Sequence, residues 1–175
     1  MLLFLFFIFI VIILIIAYGK SPKTIQDDWR TFLDGFQVST TDFYASMKAA
    51  LSERQITKVE VTEESFLESH MLSAKRLYLR ITQNEYVIYI CSAPYGTGTF
   101  ISFWLCTKDE NFLNRIPIVS KLMGKDRDSK TFYQMDTEAM FKLAVHSALT
   151  ETIGSLTDAK GYRGLTELEK QFKAS

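Results

Sequence analysis

The sequence predicts an α+β fold: an N-terminal transmembrane helix, then a two-layer domain in which an antiparallel meander sheet packs against a long C-terminal helix. Three observations carry this expectation. Met1 to Ala17 contains no charged or hydrogen-bonding side chain. Between Ile56 and Thr107 the chain falls into short alternating or solidly apolar stretches separated by turn residues. From Asp136 to Lys160 the apolar residues recur at helical spacing.

A helix from Met1 to Gly19 would span roughly 28 Å, close to the ~30 Å hydrocarbon core of a bilayer. Leu2, Phe6, Ile10, Leu14 and Ile16 mark this span. A cleaved signal peptide is the competing reading, with Ala17-Tyr18-Gly19 as a weak small-x-small site. A retained signal-anchor is preferred, because no Lys or Arg precedes the apolar run. The run also exceeds the roughly 7–15 residues of a signal h-region. Lys20, Lys23 and Arg30 follow it, so the positive-inside bias sets a single-pass topology with the domain on the cytoplasmic side. The expected divisions are an anchor over 1–19, a juxtamembrane segment over 20–38 and one α+β domain over 39–175.

Within the juxtamembrane segment, Ile25, Trp29, Phe32 and Leu33 fit one stripe of a short helix over Thr24–Leu33. Ser39 or Thr41 then caps a helix to about Arg54, its stripe formed by Phe43, Met47, Ala50 and Leu51. Ile56–Thr62 is β-branched and partly alternating, and Leu77–Ile81 alternates strictly. Tyr86–Cys91 and Phe100–Cys106 are near-continuous apolar runs, as in central strands.

With Gln83-Asn84 as a two-residue loop, Ile81 faces Tyr86, Leu79 faces Ile88 and Leu77 faces Ile90. With a turn near Gly96-Thr97, Ile88 faces Leu105, Ile90 faces Phe103 and Ser92 faces Ile101. Both turns gather the same apolar residues on one face, which supports the meander. Tyr78, Arg80, Val87, Tyr89, Cys91, Ser102, Trp104 and Cys106 fall on the other face. Further on, Thr131–Met135 reads as a short fifth strand. Asp136 then caps the long helix, with Met140, Phe141, Ala144, Val145, Ala148, Ile153 and Leu156 as its stripe. Gly161 ends this helix, and a short charged helix closes the chain.

The charges balance, with 20 acidic and 20 basic residues, which gives no reason to expect nucleic acid as a partner. Cys91 and Cys106 sit in apolar runs without metal-like spacing and read as small buried hydrophobes. His146, within the long helix, has no evident partner for general-base work and reads as a core-edge or surface residue. His70, among scattered glutamates, lacks the spacing of a metal site. A Cys91–histidine nucleophile pair is disfavoured because Cys91 ends a hydrophobic strand. Gly96-Thr97-Gly98 joins strand to strand, unlike a phosphate-binding loop. No catalytic residue, metal or cofactor is therefore assigned.

Two features point toward interaction instead. Tyr78, Tyr89 and Trp104 around Arg80 are expected first to be covered by the chain's own first helix or by Thr24–Leu33; the competing reading is a partner or ligand face, since Tyr and Trp offer large apolar bodies with polar tips. Within Asn111–Lys130, Ile116, Ile118 and Val119 flanked by Arg115 and Lys121 either plug the end of the core or form an interfacial loop over anionic headgroups. The expected function is a membrane-tethered, non-catalytic interaction or assembly module, contacting membrane lipids and a protein partner or a second copy. The alternatives are a domain that binds or senses a lipid or small apolar ligand, and a membrane-surface enzyme with an unrecognised site.

Overall fold

Two hairpins expected from their turn residues form the middle of the sheet. The computed structural model describes residues 24–66, 75–107 and 130–172. Its elements are β1 (Thr24–Leu33), α1 (Thr40–Glu53), β2 (Glu60–Phe66), β3 (Arg76–Gln83), β4 (Tyr86–Tyr95), β5 (Gly98–Thr107) and α2 (Phe132–Ala159). All neighbouring strands are antiparallel, in the order β1-β5-β4-β3-β2. The α+β class is as expected, with the sheet packed against the long C-terminal helix. The apolar run of residues 1–17, His70 and the Arg115–Lys121 loop lie outside the described residues. Among the described residues no helix is long and apolar enough to cross a membrane.

The β4–β5 register matches expectation: Ile88 pairs with Leu105, Ile90 with Phe103 and Ser92 with Ile101. The β3–β4 hairpin differs. Gln83 pairs with Tyr86 and Ile81 with Ile88, so the two-residue loop is Asn84-Glu85, one position later than expected. Asn84 supplies the left-handed conformation, with φ of 52°, which Asn tolerates at a hairpin turn. The partners shift by two residues, an even number, so every side chain keeps its face. Leu79, Ile81, Tyr86, Ile88, Ile90, Ile101, Phe103 and Leu105 are all buried in one core, with Leu77 partly buried beside them.

Thr24–Leu33 is not the expected helix but the edge strand β1, hydrogen-bonded to β5 from Thr24↔Thr107 to Leu33↔Thr99. The sheet thus begins before residue 39. A bulge between Ile25 and Asp27 places Ile25 opposite Cys106 on the outer face, while Trp29 and Leu33 turn into the core. Polar Asp27 and Thr31 occupy core-side positions beside Trp29 and Leu33, and apolar Phe32 lies on the outer side, so the spacing of Ile25, Trp29, Phe32 and Leu33 imitates a helix. The free edge of β5 overrides that local signal. The strand proposed over Ile56–Thr62 lies further on, at Glu60–Phe66; Ile56 and Val59 pack against the core from the preceding turns.

Both helices cover the same sheet face. Ser39 caps α1, its hydroxyl accepting from the Asp42 N–H at 3.0 Å. Tyr44 of α1 is fully buried, its hydroxyl 2.8 Å from the Leu77 carbonyl and 3.1 Å from that of Ile90. The β3–β4 ladder ends at Leu79↔Ile90, and the hydroxyl serves the backbone where the strands part.

The fifth strand over Thr131–Met135 does not form, nor does Asp136 cap α2. Thr131 caps it one turn earlier through a capping box with Gln134. The reciprocal Thr131–Gln134 hydrogen bonds outweigh the strand propensity of Thr131, Phe132 and Tyr133. Phe141, Val145, Ala148, Leu149 and Ile153 are buried, but Met140, assigned to the stripe, points outward. At the other end, Gly161 has φ of 71° and donates to Asp158, while Tyr162 donates to Thr157, a Schellman closure. The expected C-terminal helix is a single turn at Glu167–Lys170, capped by Thr166 and Glu169.

Candidate functional site

The sheet face turned away from both helices collects the residues proposed as a partner or ligand face. Alternation along β3, β4 and β5 puts Tyr78, Arg80, Val87, Tyr89, Trp104 and Cys106 there together. Tyr89 sits directly opposite Arg80 on β3 and Trp104 on β5. Phe66 from β2 packs edge-to-face on Tyr78 and Tyr89, with ring centroids 5.3 and 5.5 Å apart. Val87, Tyr89 and Cys106 are buried, whereas Tyr78, Arg80 and Trp104 remain half-buried around them. Neither α1 nor β1 lies over this face: α1 packs on the other side, and β1 extends the sheet in plane.

Charges border the cluster. Glu64 accepts a hydrogen bond from the Tyr89 hydroxyl at 3.2 Å and lies 3.7 Å from Arg80 Nε. Burial, then the Glu64 carboxylate beside it, pushes the Tyr89 phenol well above its ordinary range. The Arg30 guanidinium stands 5.3 Å over the Trp104 ring, a cation–π contact, and Arg30 also pairs with Asp28 at 2.9 Å. The Trp104 indole N–H donates to Ser102 at 3.0 Å.

Sequence reasoning missed Phe66, Glu64 and Arg30 as members of this face. Phe66 was legible as the one aromatic residue in a glutamate-rich stretch. Arg30 was hidden by the helical reading of its segment.

His146 is buried on the opposite side of the sheet, at the core edge rather than on the surface, inside an aromatic box. Trp29 lies edge-on at 5.1 Å, Phe103 at 5.8 Å and Phe172 tilted at 4.5 Å. Its Nε2 has no hydrogen-bond partner among the described residues. Lys142, which pairs with Asp27 at 2.9 Å, faces the same box. Burial, then the Lys142 charge, lowers the His146 pKa to about 4, against a smaller upward pull from Asp27. The ring is therefore neutral over the physiological range. The C-terminal segment closes the box, its Glu169 carbonyl accepting from the Trp29 indole N–H at 2.9 Å.

Cys91 and Cys106 are buried free thiols. Cys91 lies on the outer sheet face and His146 on the helix side, so the sheet separates them and they cannot form a nucleophile pair. Burial also pushes the Cys91 thiol up, against the thiolate a nucleophile requires. Among the described residues no three His, Cys, Asp or Glu side chains converge as a metal site. Gly96 and Thr97 form the β4–β5 hairpin loop, with Tyr95 paired to Gly98. A surface depression of about 510 Å³ runs along the C-terminal half of α2. Its lining of Ser147, Thr150, Glu151, Ser155, Asp158 and Lys170 is largely hydroxyl and charge.

Comparison with known proteins adds no relative: no family model, no curated protein and no solved structure matches this chain.

Proposed function

We propose that this chain is a membrane-tethered, non-catalytic interaction module. The uncharged run Met1–Ala17 holds it in the bilayer, and the domain beyond stands on the cytoplasmic side. The partner is a protein that packs on the outer sheet face, contacting the half-buried Tyr78, Arg80 and Trp104 around the closed centre at Tyr89. The observation that carries the reading is this grouping of Tyr, Arg and Trp, on a face that, among the described residues, neither α1 nor α2 covers. These three residue types supply most interface hot spots, through large apolar area with a polar tip. Tethering strengthens the reading, because confinement to a membrane raises effective concentration and lets a modest interface suffice.

The test is affinity purification of the full-length protein from its native membranes, in three forms. Wild type and a Glu151→Ala control, altered on α2 far from the face, should carry a stoichiometric partner or a second copy. Trp104→Ala should lose it while keeping the wild-type thermal transition. Equal recovery with Trp104→Ala would exclude this face as the contact.

A further inference from the structure

One line along α2 changes character halfway. Phe132, Tyr133, Met140 and Leu143 are 60–84 % exposed, on the side of the helix away from the sheet. The same outward line continues as Ser147, Thr150, Glu151, Gly154 and Asp158, which are polar or small. A helix on the surface of a soluble domain normally turns polar residues outward along its whole length. Here the ion-paired charges of the first half sit at inward-leaning positions: Glu138 pairs with Lys130, and Lys142 with Asp27. An outer face whose large side chains are apolar for three turns, with Asp136 as its one charge, and which is polar thereafter marks a boundary between two media.

The chain's own connections say which medium lies at the apolar end. Lys130 reaches Gln26 at 3.2 Å, Lys142 reaches Asp27 at 2.9 Å, and the Tyr86 hydroxyl donates to the Gln134 carbonyl at 3.0 Å. The start of α2 therefore lies beside the start of β1, at Thr24. From Ala17, the last residue of the apolar run, to Thr24 the chain can reach at most about 25 Å. That limit keeps this end of the domain close to any bilayer that holds residues 1–17.

We infer that the first three turns of α2 lie in the membrane interface, with Phe132, Tyr133, Met140 and Leu143 among the headgroups and upper acyl chains and the Asp136 carboxylate at the water side of the headgroups. Exposed aromatic rings suit that depth, with apolar bodies in the acyl boundary and the Tyr133 hydroxyl toward water. The domain then leans on its long helix, and the outer sheet face points away from the bilayer toward the cytoplasm. This inference rests on the tethered reading above.

The experiment uses the full chain in phosphatidylcholine vesicles containing lipid with a nitroxide near the top of its acyl chain. A fluorophore is attached at Met140→Cys, or in a separate variant at Asp158→Cys. The native Cys91 and Cys106 are buried and stay unlabelled. Asp158 faces the same way as Met140, five turns or roughly 27 Å further along the axis. Expected are resistance to alkaline extraction and several-fold stronger quenching at position 140 than at 158. Tyr133→Cys gives a second position with the same expectation. Resistance to extraction with equal quenching at 140 and 158 would overturn the inference and leave the tether standing. Self-quenching between labels at 140 without lipid quenching would assign the face to a second copy and overturn it too. Release by alkali would overturn the tethered reading itself.

Discussion

At the scale of single residues, His146 is the most consequential. A neutral imidazole inside a box of Trp29, Phe103 and Phe172 is an aromatic packing unit, and charging it there is costly. Its pKa is lowered from 6.5 to about 4 on folding. Between those values the unfolded chain binds the proton and the folded chain does not, so stability rises with pH across this window. Above pH 6.5 the contribution is flat; below it, stability falls progressively until about pH 4, by roughly 3 kcal/mol in total. The charged groups facing the ring are Lys142 and Asp27, which pair at 2.9 Å. The check is urea denaturation of wild type and His146→Phe between pH 7.5 and 4.5. The difference between the two should narrow or reverse in favour of the variant as the pH drops. A constant difference would mean that His146 does not titrate in this way. That the helix carries a histidine beside its apolar stripe is plain in the sequence. That three rings from β1, β5 and the C-terminal segment converge on it is not, because those residues are up to 143 positions apart.

At the scale of elements, the edge strand β1 depends on one glycine. A Cβ on Gly98 would stand 2.4 Å from the Leu33 carbonyl oxygen and 2.6 Å from the Phe32 ring. The near atom is backbone, so relief requires the end of β1 to move. Gly98→Ala should therefore destabilise the domain by about 1–3 kcal/mol, as overpacking generally does. Hydrogen exchange should accelerate first at the β1 amides paired to Thr99–Phe103, rather than in β3. Unchanged protection in β1 would show that the strand accommodates the methyl group.

The elements also differ in how far local pattern disclosed them. β3, β4 and β5 were legible because two independent turns put one apolar set on one face. β1 was misread because polar Asp27 and Thr31 sit on its core side and apolar Phe32 on its outer side, which leaves a helical spacing of apolar residues. The start of α2 was misplaced because Thr131, Phe132 and Tyr133 favour strands, while the Thr131–Gln134 capping box decides otherwise.

At the scale of the whole molecule, the two-layer arrangement separates two surfaces. The outer sheet face with Trp104 and the outer face of α2 with Met140 lie on opposite sides of the core. Substitutions on them should act independently, as distant sites without shared partners do. Trp104→Ala is expected to abolish partner recovery without altering lipid quenching at position 133. Met140→Glu combined with Leu143→Glu is expected to reduce that quenching without altering partner recovery. Paired measurements on the same vesicles check this; a double effect from either substitution would join the two surfaces into one functional unit.

The sequence by itself determined the uncharged run Met1–Ala17, the balance of charge, the class of the fold and the apolar face of its central strands. These are properties of composition and short-range period, which a chain carries before it folds. The tertiary structure decided that Thr24–Leu33 is a strand and that Met140 turns outward. It also decided that His146 enters an aromatic box and that Cys91 lies across the sheet from it. Each of those outcomes depends on which distant segment lies alongside. The free edge of β5 recruits β1, and the buried face of α2 is chosen by the sheet beneath it.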